Sequence, residues 1–356
     1  MAQKNMKKFL IMLLAGLNLL LAGCGGSSGS SSEAEQEQVT VTDSLGRTVV
    51  LPRVVTRAVV VNRYNMEVVK SLGAASAVVG ADYGIYQDQA AYGSLFDRSQ
   101  VVAKSQNELN YEKIIELTPQ VLVITSNGAW EDAVKKLSPF GIQVVVMDAY
   151  YTDQFAQTYR LAGSVFHKEK EAEDFIAYFQ DKISYVEQQL RDVPKKRVYF
   201  EYKRPGVTTV PGDYFFYMIE YAHGDNIFKD AKGTDIDIEA VVERNPEAII
   251  KVGEAGADPS YMPPAKEEFE RRIQALTARP GWDTIDAVQH GRILLLSQYV
   301  HGAASKLLGS LYIAKFLYPE YLPDLHPEEA YRTWVTSYQG LPYMPGHTYP
   351  AFTLEE

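Results

Sequence analysis

Residues 152–191 read TDQFAQTYRLAGSVFHKEKEAEDFIAYFQDKISYVEQQLR, and the organisation of the chain follows from this run. The run contains no proline and only one glycine, Gly163, and its apolar residues recur three and four positions apart. That spacing predicts one or two helices, which together span roughly 50 Å at about 1.5 Å per residue. The dipeptide Val193-Pro194 ends the helical segment, because proline lacks the amide hydrogen that a helix interior needs.

Regions of a different kind flank this segment on both sides. Short apolar runs alternate there with helical patterns, and unbroken apolar strands between helices indicate a parallel sheet covered on both faces. Strands are predicted at 58–61, 77–79, 121–125, 144–147, 198–202, 248–252 and 293–296. The simplest architecture is two α/β lobes joined by one long helix.

These patterns divide the chain into successive parts. We predict an N-terminal lobe at 39–151 that opens with a β-hairpin, a bridging helix at 152–191, and a C-terminal lobe at 192–336. Residues 337–356 form an aromatic-rich tail. Three interpretations of the tail stay open: it packs back on a lobe, it lines the space between the lobes, or it is loose.

An internal repeat supports two lobes of similar architecture. Residues 110–125, NYEKIIELTPQVLVIT, and residues 237–252, DIEAVVERNPEAIIKV, each read as a short helix, a proline and a mostly apolar strand. The identical pairs are Glu112/Glu239, Glu116/Glu243 and Pro119/Pro246, and the apolar pattern is broken at Leu117/Arg244 and Ile124/Lys251. Such units also share a few identities by chance, and that alternative stays open.

Composition and charge exclude several classes of function. The chain has 356 residues, of which 46% are hydrophobic and 22% charged, which is typical of a globular protein. Its formal net charge is −10, and the first 23 residues contribute three lysines and no acid. A chain this acidic is a poor candidate for nucleic-acid binding, because phosphate groups need a basic surface. The single cysteine, Cys24, excludes an intrachain disulfide, a Zn(Cys)4 site and a cysteine redox pair.

The amino terminus is predicted to be an export signal. Three lysines precede an apolar run at 9–22, which is too short to span a bilayer comfortably. The run ends in Leu21-Ala22-Gly23-Cys24, which resembles the lipobox of bacterial lipoproteins. The resemblance implies a signal peptide at 1–23, diacylation of Cys24, a flexible tether at 24–38, and a body anchored to the membrane outside the cytoplasm. A plain signal peptide followed by an incidental cysteine is the alternative, and the sequence does not identify the leaflet.

Four segments together resemble the substrate-binding proteins of the iron-complex and corrinoid ABC importers, the class III periplasmic binding proteins. The segments are VTVTDSLGRTVVLP at 39–52, the N-x-E…P run at 110–119, its counterpart at 237–246, and the GWDTI…GRI run with the residues that follow it at 281–319. Gln120 stands where the family usually has aspartate. Each motif is weak alone, and their order along residues 39 to 335 carries the resemblance.

The resemblance implies a fold and a function. It implies two Rossmann-like lobes with parallel central sheets, joined by one long inter-lobe α-helix that resists bending, so that closure on a ligand is small. It implies a monomeric solute-binding component that captures a ferric siderophore or haem-like iron complex and delivers it to an ABC permease dimer and its ATPase. No catalysis and no cofactor are expected. A corrinoid is the nearest alternative ligand, and the sequence does not choose among them.

The resemblance also implies a docking role for Glu112 and Glu239. Each lies in the first turn of a short predicted helix, one in each lobe. In the family, one glutamate on each lobe docks into arginine pockets of the permease. The alternative is that both carboxylates only complement the dipole of their helix.

Candidate ligand contacts come from the loops at the carboxyl ends of the predicted strands, where ligands bind in such folds. Cationic side chains there suit an anionic chelate, and aromatic rings supply flat apolar walls. The alternative for any one residue is that it packs a lobe edge. The candidates are Arg63, Tyr64, Asn127, Trp130, Tyr150, Tyr151, Lys203, Arg204, Tyr214, Phe215, Tyr299 and His301.

A bare metal ion or a catalytic site is less well supported. The six histidines are scattered and no two lie four residues apart, so we predict no metal site and expect any metal to arrive inside an organic carrier. No H-E-x-x-H or P-loop motif is present, and the letters G-x-S-x-G at 25–29 lie in the tether, where no strand–helix elbow forms. A lipid-anchored enzyme and a sensor lipoprotein remain as alternatives of another class.

Overall fold

A computed structural model describes residues 37–253, 261–302, 304 and 306–354. The predicted signal peptide, Cys24 and the tether through residue 36 lie outside these residues. The described chain forms two sheet-containing lobes with largely parallel strands, which confirms the predicted α/β fold class. No helix in the described ranges is both long and apolar enough to cross a membrane.

The N-terminal lobe is a six-stranded sheet flanked by helices and preceded by a hairpin. Its strands are β1 Gln38–Thr42, β2 Thr48–Pro52, β3 Ala58–Val60, β4 Val78–Asp82, β5 Val101–Ser105, β6 Glu108–Leu109, β7 Val121–Ile124 and β8 Gln143–Val146. Its helices are α1 Arg63–Ser71, α2 Tyr83–Gln87, α3 Gln89–Tyr92, α4 Tyr111–Glu116 and α5 Trp130–Leu137. The sheet order is β6-β5-β4-β3-β7-β8, and β6 is its one antiparallel strand.

The C-terminal lobe repeats this plan with five strands. They are β9 Lys196–Tyr202, β10 Gly224–Asn226, β11 Ala248–Val252, β12 Ile293–Leu296 and β13 Thr348–Tyr349. The helices are α8 Phe216–Tyr221, α9 Glu239–Arg244, α10 Lys266–Thr277, α11 Asp286–Gln289, α12 Gln298–Gly302, α13 Leu307–Leu317 and α14 Pro327–Thr333, which continues into a π-helical turn, Trp334–Tyr338. The order is β10-β9-β11-β12-β13, with only the β12–β13 pair antiparallel.

Strand order places a topological switch point at the centre of each sheet. In the N-terminal sheet the chain runs outward from β3 through β4 and β5, then returns to the other side of β3 as β7 and β8. In the C-terminal sheet β9 and β10 run one way, and β11 and β12 run the other way. Ligands of open α/β sheets bind where the strand order reverses, so the loops after β3, β7, β9 and β11 are the expected contacts.

Two helices, rather than one continuous rod, occupy the bridging segment. Helix α6 (Phe155–Phe166) ends at His167, which has a left-handed φ of 54°, and α7 (Glu169–Leu190) follows. The two helices pack on each other, and the rings of Tyr159 and Phe175 stack at 4.0 Å. At about 1.5 Å per residue, the 12 residues of α6 span about 18 Å and the 22 residues of α7 about 33 Å, so their summed length agrees with the expected 50 Å although they form two packed helices.

The repeat is visible in three dimensions, and its two breaks have physical reasons. Helix α4 leads to β7, helix α9 leads to β11, and each of these strands lies beside the first strand of its sheet. Lys251 replaces an apolar residue within β11 because its ammonium pairs, at 3.1 Å, with buried Glu201 on the neighbouring strand. Arg244 pairs with Asp230, so its polar head is also accommodated.

The aromatic-rich tail packs back onto both lobes, which resolves its open interpretation. Its strand β13 extends the C-terminal sheet. Before that strand, buried Gln339 reaches α1 of the other lobe, and its Nε2 donates to the carbonyl of Glu67 at 3.0 Å and to Oγ of Ser71 at 2.9 Å. The ring of Tyr338 meets that of Phe175 on α7 at 4.8 Å.

Candidate ligand-binding site

Aromatic side chains from both lobes meet where the lobes face each other. Tyr150 and Tyr151 follow β8, and Tyr214 and Phe215 precede α8. Ring centroids of Tyr150 and Tyr214 lie 5.6 Å apart, and those of Tyr151 and Tyr214 lie 6.4 Å apart. Tyr202, at the end of β9, lies 4.6 Å from Phe215. We call the region where these rings meet the lobe junction.

Arg63 crosses from the N-terminal lobe into the junction. Asn62, with φ of 81°, caps α1 through its side chain and so places Arg63 and Tyr64 in the first helical turn. The Arg63 side chain is 9% exposed, and its Nε lies 3.3 Å from Oε1 of Glu67. Its Cζ lies 5.6 Å from the ring centroid of Tyr299 in the C-terminal lobe.

Lys306 enters the same junction from the C-terminal lobe. It lies between α12 and α13 with a left-handed φ of 69°, and its side chain is fully buried. Its ammonium lies 4.6 Å from the ring centroid of Tyr64 and donates to the backbone carbonyl of Tyr150. Burial lowers the pKa of Lys306 to about 7, although the carboxylates of Asp213 and Glu67 act in the opposite direction.

Several buried polar atoms in this region have no hydrogen-bond partner among the described residues. They are Nη1 of Arg63, both carboxylate oxygens of Glu67, Oε1 of Gln298 and Nε2 of His301. Burial raises the pKa of Glu67 to about 7 and lowers the pKa of His301 to about 3. Buried polar groups are normally paired. These unpaired atoms are therefore donors and acceptors that a polar ligand at the junction would satisfy.

Nine of the predicted contacts therefore lie at or beside the junction, and three lie elsewhere. Lys203 is at the edge, with its ammonium 5.1 Å from the ring of Tyr202. Trp130 instead packs under Arg47, whose Cζ is 4.5 Å from its ring, and exposed Arg204 pairs with Asp235. Exposed Asn127 accepts a hydrogen bond from Gln106 at 3.3 Å. The residues brought to the junction or its edge are Arg63, Tyr64, Tyr150, Tyr151, Lys203, Tyr214, Phe215, Tyr299 and His301.

Sequence reasoning missed Glu67, Tyr202 and Lys306. A signal existed for Glu67, because an acid four residues after Arg63 shares its helix face. Lys306 directly precedes the mostly apolar helix Leu307–Leu317, whose own cation, Lys315, lies in the last turn. Ligands in such folds bind at the carboxyl ends of strands, and we call this expectation the strand-end rule. The rule nominates only the loops that directly follow strands, so it does not nominate Lys306.

Glu112 and Glu239 occupy matching places on the two lobes. Each carboxylate is exposed in the first turn of its helix, α4 or α9. The amides in these first turns are capped by Asn110, which accepts from Lys113 at 3.0 Å, and by Asp237, which accepts from Glu239 at 2.9 Å. The docking role stays a prediction.

Comparison with known proteins identifies the family of this chain. A sequence profile described as periplasmic binding protein matches residues 59–300, which is more than half of the chain. The chain belongs to the periplasmic binding protein family. The predicted family is thereby confirmed.

Relatives of this periplasmic binding protein cover most of its length. The molybdate-binding protein MolA of Haemophilus influenzae is 23% identical over 364 residues, 92% of this chain and 98% of that protein. YvrC of Bacillus subtilis, an uncharacterized ABC transporter substrate-binding lipoprotein, is 26% identical over 296 residues, 79% of this chain and 86% of that one.

Solved structures share the fold. The TroA-like periplasmic binding protein FepB from Veillonella parvula superposes with a TM-score of 0.72 at 20% identity, over 87% of this chain and 99% of that one. MolA bound to molybdate gives 0.68 at 20% identity, over 86% of this chain and 99% of that one. This periplasmic binding protein is the solute-binding component of an ABC importer, and such components work with a permease and an ATPase.

Proposed function

We propose that this protein captures an anionic iron complex, a ferric siderophore or a haem-like chelate, between its lobes and delivers it to the permease dimer. The observation that carries the proposal is Nη1 of Arg63, a charged donor at the junction that lacks a hydrogen-bond partner among the described residues. Lys306 and Lys203 add positive charge beside it. Charge-assisted hydrogen bonds to an anion satisfy such donors, and the tyrosine rings suit a flat or ring-bearing ligand.

A corrinoid is the alternative ligand within the same family. Aromatic walls accept any macrocycle, so the rings of Tyr150 and Tyr214 do not discriminate between a corrinoid and haem. The cations of the junction favour the more anionic of the two.

The proposed cycle involves no chemistry on the ligand. The protein binds its solute, closes slightly, docks through Glu112 and Glu239, and releases the solute to the permease, while a partner ATPase supplies the energy. Lipid on Cys24 holds the monomeric body at the outer side of the membrane, and the mass of the processed protein tests this anchor.

Ligand titration tests the proposed function. The full chain in mild detergent is titrated with haemin, a ferric tris-catecholate and cyanocobalamin, and tryptophan fluorescence is followed. We expect saturable quenching by haemin or the ferric catecholate. Trp334 is the expected reporter, because its ring lies 5.6 Å from that of Tyr299, whereas Trp130 packs under Arg47.

The matched control is Trp334→Phe. It should remove most of the saturable quenching while equilibrium dialysis still detects binding of the same complex. Binding of free Fe³⁺, Zn²⁺ or Mn²⁺ with none of the three complexes contradicts the proposal.

A further inference from the structure

We propose that Lys306 and Arg63 form a two-cation clamp, one cation from each lobe, which makes the site select dianionic over neutral solutes. This inference rests on the proposed function, since it names the ligand class of the same site. It assigns the decisive counter-charge to Lys306, a residue that no strand-end rule nominates.

Both cations lie beside the ring of Tyr64. The ammonium of Lys306 lies 4.6 Å from its centroid, and Cζ of Arg63 lies 5.5 Å from it. Each cation thus contacts the same ring, although it belongs to a different lobe. The charge of Arg63 lowers the pKa of Lys306, because like charges repel, and an anion that contacts both removes that repulsion.

Both cations have more hydrogen-bond donors than their contacts use. The ammonium of Lys306 has three donors, and the carbonyl of Tyr150 takes one. Nε of Arg63 forms an ion pair with Oε1 of Glu67 at 3.3 Å, Nη2 donates to the carbonyl of Gln298 at 3.5 Å, and Nη1 has no hydrogen-bond partner among the described residues. Two cationic donor groups that approach from opposite lobes match a solute with two anionic groups, such as paired carboxylates.

Two acids face these cations, but burial raises the pKa of Glu67 to about 7, so Glu67 is largely protonated at pH 6.5 and neutralises the charge only in part. Glu67 faces both cations, and Asp213 also interacts with Lys306. Because burial holds the pKa of Lys306 at about 7, a bound anion favours its protonated form. The titratable and charged groups that face the ammonium from the surrounding elements are Arg63, Tyr64, Glu67, Tyr150, Asp213, Tyr214 and His301.

The test compares dissociation constants of the full chain and its variants by equilibrium dialysis at pH 6.5. The probes are haemin, with two carboxylates, a ferric tris-catecholate, and cyanocobalamin, which has no net charge. Lys306→Met should weaken the anionic probes at least tenfold, Lys306→Arg less than threefold, and neither should change the affinity for cyanocobalamin more than threefold.

Lys196→Met is the matched control. Lys196 makes the same two kinds of contact away from the junction, since its ammonium lies 4.9 Å from the ring of Tyr318 and donates to the carbonyl of Leu317. This control should leave every affinity unchanged.

If Lys306→Met does not fold, the pH dependence of Lys306→Arg decides. The wild-type affinity for the anionic probes should weaken from pH 6 to pH 9 as Lys306 loses its proton, whereas arginine stays charged. The ratio of the wild-type dissociation constant to that of Lys306→Arg should therefore rise at least tenfold over this range. A constant ratio overturns the clamp.

Anionic probes that bind Lys306→Met as tightly as wild type overturn the clamp and leave the proposed function intact. A wild-type chain that binds cyanocobalamin but neither anion overturns both, in favour of the corrinoid alternative. A wild-type chain that binds none of the three probes overturns the proposed function and the clamp with it.

Discussion

His301 is held neutral at the lobe junction by burial, although its hydrogen bond to Ser297 acts in the opposite direction on its pKa. Its Nδ1 lies 3.1 Å from the carbonyl of Ser297, which only accepts, so Nδ1 carries the proton and Nε2 is an acceptor. Burial lowers the pKa of His301 to about 3, and the charges of Lys306 and Arg63 act in the same direction. A neutral acceptor therefore lies beside the cations of the clamp.

Stability should depend on pH through His301. Its folded pKa of about 3 is below the ordinary value of 6.5, so the unfolded chain binds the extra proton between these values and stability rises with pH there. The slope approaches about 1.4 kcal/mol per pH unit. Urea denaturation of wild type and His301→Gln at pH 4, 5 and 6 should give a difference that grows with pH.

The comparison with His301→Gln is needed because Glu67 acts in the opposite direction. The pKa of Glu67 is raised from 4.5 to about 7, so its contribution to stability falls as pH rises through that window. Glu67 is present in both proteins and cancels in the difference. Parallel pH profiles for the two proteins contradict the assignment to His301.

At the site, the residues that the sequence predicts are those whose position depends on the backbone alone. Arg63, Tyr150 and Lys203 follow strands of the two sheets, and the strand-end rule is sufficient to bring them to the junction. Trp130 satisfies the same rule, yet it packs on Arg47, because the rule gives the position of a loop and not the direction of a side chain. Lys306 lies ten residues beyond β12 and reaches the junction only through the packing of α12 and α13.

At the scale of elements, the helical spacing of the apolar residues predicted the bridging segment but not the break between its two helices. Neither proline nor glycine marks the break at His167, whose left-handed φ of 54° turns the chain between α6 and α7. Gly163 is the residue that lets the two helices approach. A Cβ at that position would lie 3.0 Å from Cβ of Ala172 and 3.1 Å from the carbonyl of Lys168.

Gly163→Val should destabilise the protein by about 1–3 kcal/mol, because an enlarged side chain forces the packed helices apart. Gly233→Val is the matched control, since a Cβ at Gly233 has no heavy atom within 4 Å, and it should change stability by less than about 0.5 kcal/mol. Denaturant unfolding measures both. Equal effects at the two positions contradict the close approach of α6 and α7.

At the scale of the molecule, contacts from separate parts of the chain tie the lobes together. The ammonium of Lys306 reaches the carbonyl of Tyr150, and the amide of Tyr261 donates to Asp88 at 3.1 Å. Gln339 of the tail adds a third contact, because its side chain donates a hydrogen bond to the carbonyl of Glu67 on α1. Together with α7 these ties favour a body that moves little on ligand binding, since a helical connection resists bending more than extended strands do.

A rigid body of this kind fixes the separation of Glu112 and Glu239, and the docking proposal depends on that. The double variant Glu112→Arg/Glu239→Arg should abolish uptake of radioactive iron presented as the complex that binds, because each arginine repels the arginine pocket proposed on the permease. Ligand affinity measured by dialysis should be unchanged. Reversing a first-turn carboxylate costs about 0.3–1 kcal/mol through the helix dipole, so the melting temperature should fall only slightly.

The control pair is Glu116→Arg/Glu243→Arg, which reverses two exposed carboxylates in the same two helices, further from the helix start. It changes the net charge by the same amount, so a general electrostatic effect on membrane association would lower uptake equally in both double variants. Docking through the first turns instead requires uptake to be lost in one pair and kept in the other. Uptake that survives Glu112→Arg/Glu239→Arg, or that both pairs lose alike, refutes the docking role and leaves the ligand site unaffected.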